Sequence, residues 1–141
     1  MSVKQISIFV ENQTGHLSEV TSILSENQVN LRALSIADTS DFGILRIIVE
    51  DVEKAAEILE KNGFTYTITD VLAVAMKDQP GGLSEILKVL SAAELSVEYA
   101  YAFLLHKEGT ACLILRLADN EAAEKALDDA GIRIATQEEL F

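Results

Sequence analysis

The chain has 141 residues, 49% of them hydrophobic, and a formal net charge of −12 at pH 7. That length suits one domain or two small ones, and so acidic a surface repels a phosphate backbone, which argues against nucleic acid as a direct partner. The longest apolar runs, ILRIIV at 44–49 and YAYAFLL at 99–105, fall short of the roughly 18 residues a membrane helix needs. The start, MSVKQISIF, has one lysine and no apolar stretch ending in small residues, so no secretory signal is expected, and the single Cys112 forms no internal disulfide. Together these features predict a reduced, soluble, cytoplasmic protein with no membrane contact.

In chain order, QISIFV at 5–10 alternates apolar and polar residues for most of its length and reads as a strand. From Gly15 to Asn27, Leu17, Val20, Ile23 and Leu24 form one helical stripe. VNLRALSIAD at 29–38 and FGILRIIVE at 42–50 are β-rich runs joined by the polar turn TSD, hence a hairpin. Asp51 suits the N-cap of a second helix, VEKAAEILEKN, which Gly63 ends. FTYTIT at 64–69 closes the set as a strand. Past Asp70 the same order returns as VLAVAMK, GLSEILKVLSAA, LSVEYAYAFLLH, GTACLILRL, EAAEKALDDA and IRIAT.

The return is an internal repeat. Gln13, Gly15, Leu17, Ser18, Glu19 and Leu24 recur 66 positions later (13 to 79, 24 to 90) as Gln79, Gly81, Leu83, Ser84, Glu85 and Leu90. Gly43 and Ile48 keep that spacing to Gly109 and Ile114; Asp51, Ala55, Leu59 and Gly63 then match Asp119, Ala123, Leu127 and Gly131 at a spacing of 68 (51 to 119). A fixed period is stronger architectural information than any single motif. Strand–helix–strand–strand–helix–strand, twice, predicts an α+β protein of two tandem ferredoxin-like βαββαβ domains, residues 1–69 and 70–141, each an antiparallel sheet with both helices on one face. ILRIIV and ACLILRL are apolar on both faces, so the sheet face away from the helices needs a cover, from the sister repeat or from another chain; a homodimer is expected.

The repeated turn carries the chemistry. A strand-to-helix turn presents backbone N–H groups without intrahelical partners at the positive end of the helix dipole. Gly15 and Gly81 lack a Cβ, so a ligand can approach the main chain, and Pro80 suits a first helical turn, where a missing N–H matters little. Such a place favours a small anion, for example a carboxylate. A glycine that merely permits the turn, copied with the rest of the unit, is the alternative.

Other chemistries of this fold fit poorly. A metal carrier needs two cysteines in the first loop, where the chain has Thr14–Gly15–His16–Leu17 and Pro80–Gly81–Gly82–Leu83. An RNA-binding sheet needs aromatic residues on central strands and a basic surround. His16 and His106 have no histidine partner in the other copy, and His106 falls at a hairpin tip. Cys112, inside an apolar strand, reads as an inert thiol; Ser18 and Ser84 suit capping, and Glu19 and Glu85 complement the helix dipole. No GxSxG, phosphate-loop or HExxH motif is present, so no catalysis, metal or cofactor is expected.

ENQTGHLSEVTSILSENQVNLRAL, followed by a strand beginning near Gly43, resembles an ACT domain, closest to the type found in phosphoglycerate dehydrogenase: Glu11, Asn12, Gly15, Leu17, Asn30 and Leu31 fall on its pattern. The second copy keeps Pro80, Gly81 and Leu83, with Asp78 in place of Asn12. Thr14 stands where proline is usual, His16 where a small or apolar residue is usual, and Ser96 where the first copy has Asn30. The resemblance implies amino-acid binding at an interface between paired ACT domains, used to regulate metabolism. It places the ligand among Asn12, Gln13, Thr14, Gly15, His16, Leu17, Asn30 and Leu31 in one copy and Asp78, Gln79, Pro80, Gly81, Gly82, Leu83 and Val97 in the other. Loop amides at Gly15 or Gly81 would take the carboxylate, Asn12 or Asp78 the ammonium, and Leu17, Leu83, Leu31 and Val97 would border the side chain. With no catalytic domain attached, the expectation is a free-standing sensor of a free amino acid acting on an unidentified metabolic enzyme, or an orphan binding module. The rival is a ligand-free scaffold of the same fold that dimerises and docks such an enzyme.

Overall fold

The computed structural model describes residues 2–11, 13–38, 42–103 and 109–141. Their contacts divide into two compact units, Lys4–Thr69 and Asp70–Phe141, the second also taking in Val3. The TSD turn and the hairpin tip carrying His106 lie outside the described residues.

In the first unit, β1 (Val3–Glu11), β2 (Leu31–Asp38), β3 (Phe42–Val49) and the start of β4 (Thr65–Lys77) lie in the order β2-β3-β1-β4. β3 pairs antiparallel with both neighbours, setting Ile8 and Ile36 opposite Leu45, and Ile6 and Leu34 opposite Ile47. Alternation sends Ile6, Ile8, Val10, Leu45, Ile47 and Val49 to one face. There they form a single core with Val20 and Leu24 of α1 (His16–Glu26) and Ala55, Ile58 and Leu59 of α2 (Val52–Lys61). Asp51 caps α2 as its sequence predicts, Oδ1 accepting from Lys54 N at 3.0 Å, and Gly63, at φ 77°, leads the chain away.

The second unit repeats the plan. The second half of β4, α3 (Gly82–Ala92), β5 (Val97–Ala102), β6 (Thr110–Leu117), α4 (Asn120–Asp129) and β7 (Ile134–Ala135) give the strand order β5-β6-β4-β7. Leu72, Val74, Leu113, Leu115 and Leu117 pack on Ile86, Leu90, Ala123 and Leu127. Asp119 caps α4 by accepting from Ala122 N at 3.0 Å. Both units are therefore ferredoxin-like, and the α+β expectation holds. The repeat reaches details no motif displays: a register shift between Leu31 and Ala33 returns between Val97 and Tyr99, and Gln28 and Glu94, just past α1 and α3, both take positive φ, 62° and 58°.

Two features depart from the sequence reading. Asp70 is not a break: β4 runs unbroken for 13 residues, and the Asp70 carbonyl accepts from Arg116 and Asn120, each at 3.1 Å. A 3-10 turn, Glu138–Leu140, follows β7; the Glu139 carboxylate receives Arg133 Nη2 at 2.8 Å and Thr136 N at 2.9 Å. Ile48, Cys112 and Ile114, on the strand faces away from the helices, are buried, as apolar residues on both strand faces require. Among the described residues, no helix is long and apolar enough to cross a membrane.

Candidate ligand-binding site

Both glycine turns form, with one backbone geometry. Gly15 and Gly81 occupy the N-cap positions of α1 and α3 at φ/ψ of 92°/−12° and 89°/−8°, a left-handed conformation that glycine adopts without strain. Each carbonyl accepts the first helical bond, from Glu19 N and Glu85 N, at 2.9 Å in both.

The helices behind these turns differ from α2 and α4 in one respect. α2 and α4 have aspartate caps; α1 and α3 have no side-chain cap. Ser18 and Ser84, suited to capping by type, do not cap. Among the described residues the amides of Thr14, Gly15, Leu17 and Ser18 have no hydrogen-bond acceptor, and in the second turn the same holds for Gly81, Leu83 and Ser84. Unpaired donors at the positive end of a helix dipole suit an anion. Pro80, at the place of Thr14, removes one donor from the second turn.

The surroundings diverge. At the first turn Gln13, Thr14, Gly15 and Leu17 line a cavity of about 510 Å³ together with Glu11, Ile36, Gly43 and Leu45. Turn, strand end and edge strand thus meet around the free amides. At the second turn Asp78, Gln79, Gly81 and Leu83 line a space of about 650 Å³ that continues along α3 past Leu87, Lys88 and Ser91 and draws nothing from β5 or β6. Lys77 stands there in place of Glu11, 3.9 Å from Glu85 in an exposed pair that contributes little.

Several expected site residues lie elsewhere. Leu31 and Val97 pack against the cores because they start their strands at the wrong end of the sheet. Glu11, beside the turn, pairs with Phe42, whereas Leu31 pairs with Val49; seven residues of strand span about 23 Å. Val97 pairs with Leu117, and Lys77 with Thr110, in the same way. Asn30, next to Leu31, is exposed and lines neither cavity, and neither does Pro80. Gly82 is buried for a steric reason: a Cβ there would run into the Lys77 carbonyl oxygen. His16 lines a different groove, its Nδ1 donating to the Glu11 carbonyl at 3.1 Å. Asn12 lies outside the described residues.

Glu11, Ile36 and Leu45 were not among the expected site residues. Glu11 had a signal, since it opens the family pattern; Ile36 had none, because an apolar residue in an alternating strand reads as core, and only the structure shows it 53% exposed opposite Leu45. Cys112 is buried, and burial pushes its thiol up to about 11. Among the described residues no group of His, Cys, Asp or Glu is placed to hold a metal ion.

A tandem pair of βαββαβ units, each opening its first helix on an uncapped glycine turn, defines a duplicated ferredoxin-like architecture. The family model of the ACT domain pair matches residues 1–140, and the chain belongs to that family. A crystal structure of a Bacteroides thetaiotaomicron protein is 37% identical, covers 99% of this chain and 96% of its own, and superposes with a TM-score of 0.91. The acetolactate synthase isozyme 3 small subunit of Escherichia coli is 33% identical over 72 residues, 50% of this chain but only 43% of that subunit. The regulatory subunit of aspartate kinase from Thermus thermophilus, at 17% identity and a TM-score of 0.66 over 90% of this chain and 91% of its own, shares the fold. The tandem ACT reading stands; the narrower likeness to the phosphoglycerate dehydrogenase type has no counterpart in these relatives.

Proposed function

We propose that this chain is an amino-acid-binding regulatory protein, and that its first turn holds the ligand. The observation that supports this most is the uncapped start of α1, whose free amides at Thr14, Gly15, Leu17 and Ser18 open onto a cavity of about 510 Å³, a size that suits a small molecule. The amides take the carboxylate. Glu11, with Asn12 beside it in sequence, meets the ammonium group. Leu17, Ile36 and Leu45 accept an aliphatic side chain. Leu17 and Ile36 are 40% and 53% exposed, so a homodimer that closes over this rim belongs to the same reading. So does a cytoplasmic setting. The chain carries out no reaction and needs no cofactor; it alters an enzyme on another chain, a reading supported by relatives that are named as subunits of enzymes, one of them a regulatory subunit.

The second turn favours a different use. Leu83 and Leu87 are 44% and 37% exposed on α3, beside Lys77 and Lys88 in an elongated groove, which supports the docking of a partner protein there. Thermal melting with each of the twenty amino acids tests the main reading. A ligand at about a hundred times its Kd adds about 2.7 kcal/mol. If no amino acid raises the melting temperature, the chain is a scaffold and the sensor reading fails.

A further inference from the structure

His16 departs from the family pattern and takes no part in the turn cavity, and its surroundings explain the departure. It lines a second cavity of about 520 Å³, on the other side of the α1 start, with Glu19 one helical turn further along. Phe9, Phe42 and Phe64 line the same space, together with Glu11. Three of the chain's five phenylalanines therefore gather at one cavity, Phe9 and Phe42 edge to face with ring centroids 6.2 Å apart. Among the described residues, no lysine or arginine lines it.

The duplication does not account for this cluster. At the matching places of the second unit stand Ala75 for Phe9, Ile132 for Phe64 and Gly82 for His16. The cavity belongs to the first unit alone, and its chemistry is of one sign. Aromatic rings attract cations through their quadrupole, two carboxylates add negative charge, and neither favours an anion. Since the Glu11 carbonyl can only accept, His16 Nδ1 carries the proton of that 3.1 Å bond, which leaves Nε2 of the neutral ring as an acceptor for a further N–H. We propose that this cavity is a second binding site, for an organic amine in its ammonium form with an apolar stem. The rings hold the stem, and Glu19 and His16 Nε2 receive the ammonium hydrogens. A free amino acid fits it poorly, because its carboxylate would face Glu11 and Glu19. The proposal does not rest on the turn binding anything.

The test is a calorimetric titration of the full chain with benzylammonium, benzyl alcohol and phenylacetate. Benzylammonium is expected to bind at millimolar concentration, the alcohol more weakly and phenylacetate not at all. Glu19→Gln, at an exposed helix position, should weaken benzylammonium binding by about tenfold, and Phe42→Leu, at a residue 41% exposed, by about threefold. Absence of benzylammonium binding, equal binding of the alcohol, or wild-type affinity in either variant overturns the proposal.

Discussion

The two glycine turns share a backbone and differ in almost everything around it. Gly15 and Gly81 have nearly the same dihedrals, the same following hydrogen bond and the same missing cap. Yet Pro80 stands at the place of Thr14 in the repeat, Lys77 at that of Glu11, Gly82 at that of His16, and Ala100 and Ala102 at those of the edge-strand pair Leu34 and Ile36. The first turn has an apolar wall from Ile36 of β2 and Leu45 of β3 beside Glu11; the second has an open groove along its own helix, with Asp78 and two lysines. A repeated backbone therefore supplies two turns with unpaired amides, and the side chains set how different their surroundings are.

The largest contrast to probe is Cys112, whose counterpart in the first unit is Arg46. With the thiol pushed up to about 11 by burial, its thiolate population near pH 8 lies about two orders of magnitude below that of a free cysteine. Alkylation in the native protein should be slower than in urea by at least that factor, and comparable rates would mean that the second unit opens readily. The same raised value fixes a pH dependence. The stability that the neutral thiol contributes is present below pH 9 and is lost as the pH rises from 9 to about 11, which urea titrations across that range would follow.

Next comes the position shared by His16 and Gly82. Gly82→Ala drives a Cβ into the Lys77 carbonyl and should destabilise by about 3 kcal/mol. His16→Ala removes only an exposed bond to the Glu11 carbonyl and should cost under about 1 kcal/mol. Equal losses in chemical denaturation would show that the turns are packed alike after all. The caps give a smaller contrast: Asp51→Ala and Asp119→Ala should each cost about 1 kcal/mol, while Ser18→Ala and Ser84→Ala stay within about 0.5 kcal/mol of wild type. A cap-sized loss at either serine would mean that it caps its helix in solution.

What the sequence displayed was whatever follows from period and residue type. The 66-residue spacing gave the βαββαβ units, Asp51 and Gly63 marked both ends of α2, and Gly15 and Gly81 marked turns that need positive φ. What it concealed depended on register. Leu31 and Val97 fit the family pattern but lie a full strand length from the turns, because antiparallel pairing with Val49 and Leu117 carries them to the far end. Ile36, five residues further on in the same strand, returns to the turn. Asp70 looked like punctuation because a lone charge interrupts an apolar alternation, yet only its side chain is charged; its backbone continues the strand while its carbonyl takes two donors.

The central claim is that the first turn binds an amino acid through its free amides and the second does not. The direct measurement is an amide-resolved NMR titration with whichever amino acid raises the melting temperature, on wild type and on Thr14→Pro, which gives the first turn the second turn's residue. The account predicts saturable shifts at Thr14, Gly15, Leu17 and Ser18, none at Gly81, Leu83 and Ser84, and a loss of about ten- to a hundredfold in affinity in the proline variant, since a hydrogen bond to a charged group contributes about 1.5–3 kcal/mol. Shifts confined to Gly81, Leu83 and Ser84, or unchanged affinity in folded Thr14→Pro, would contradict it.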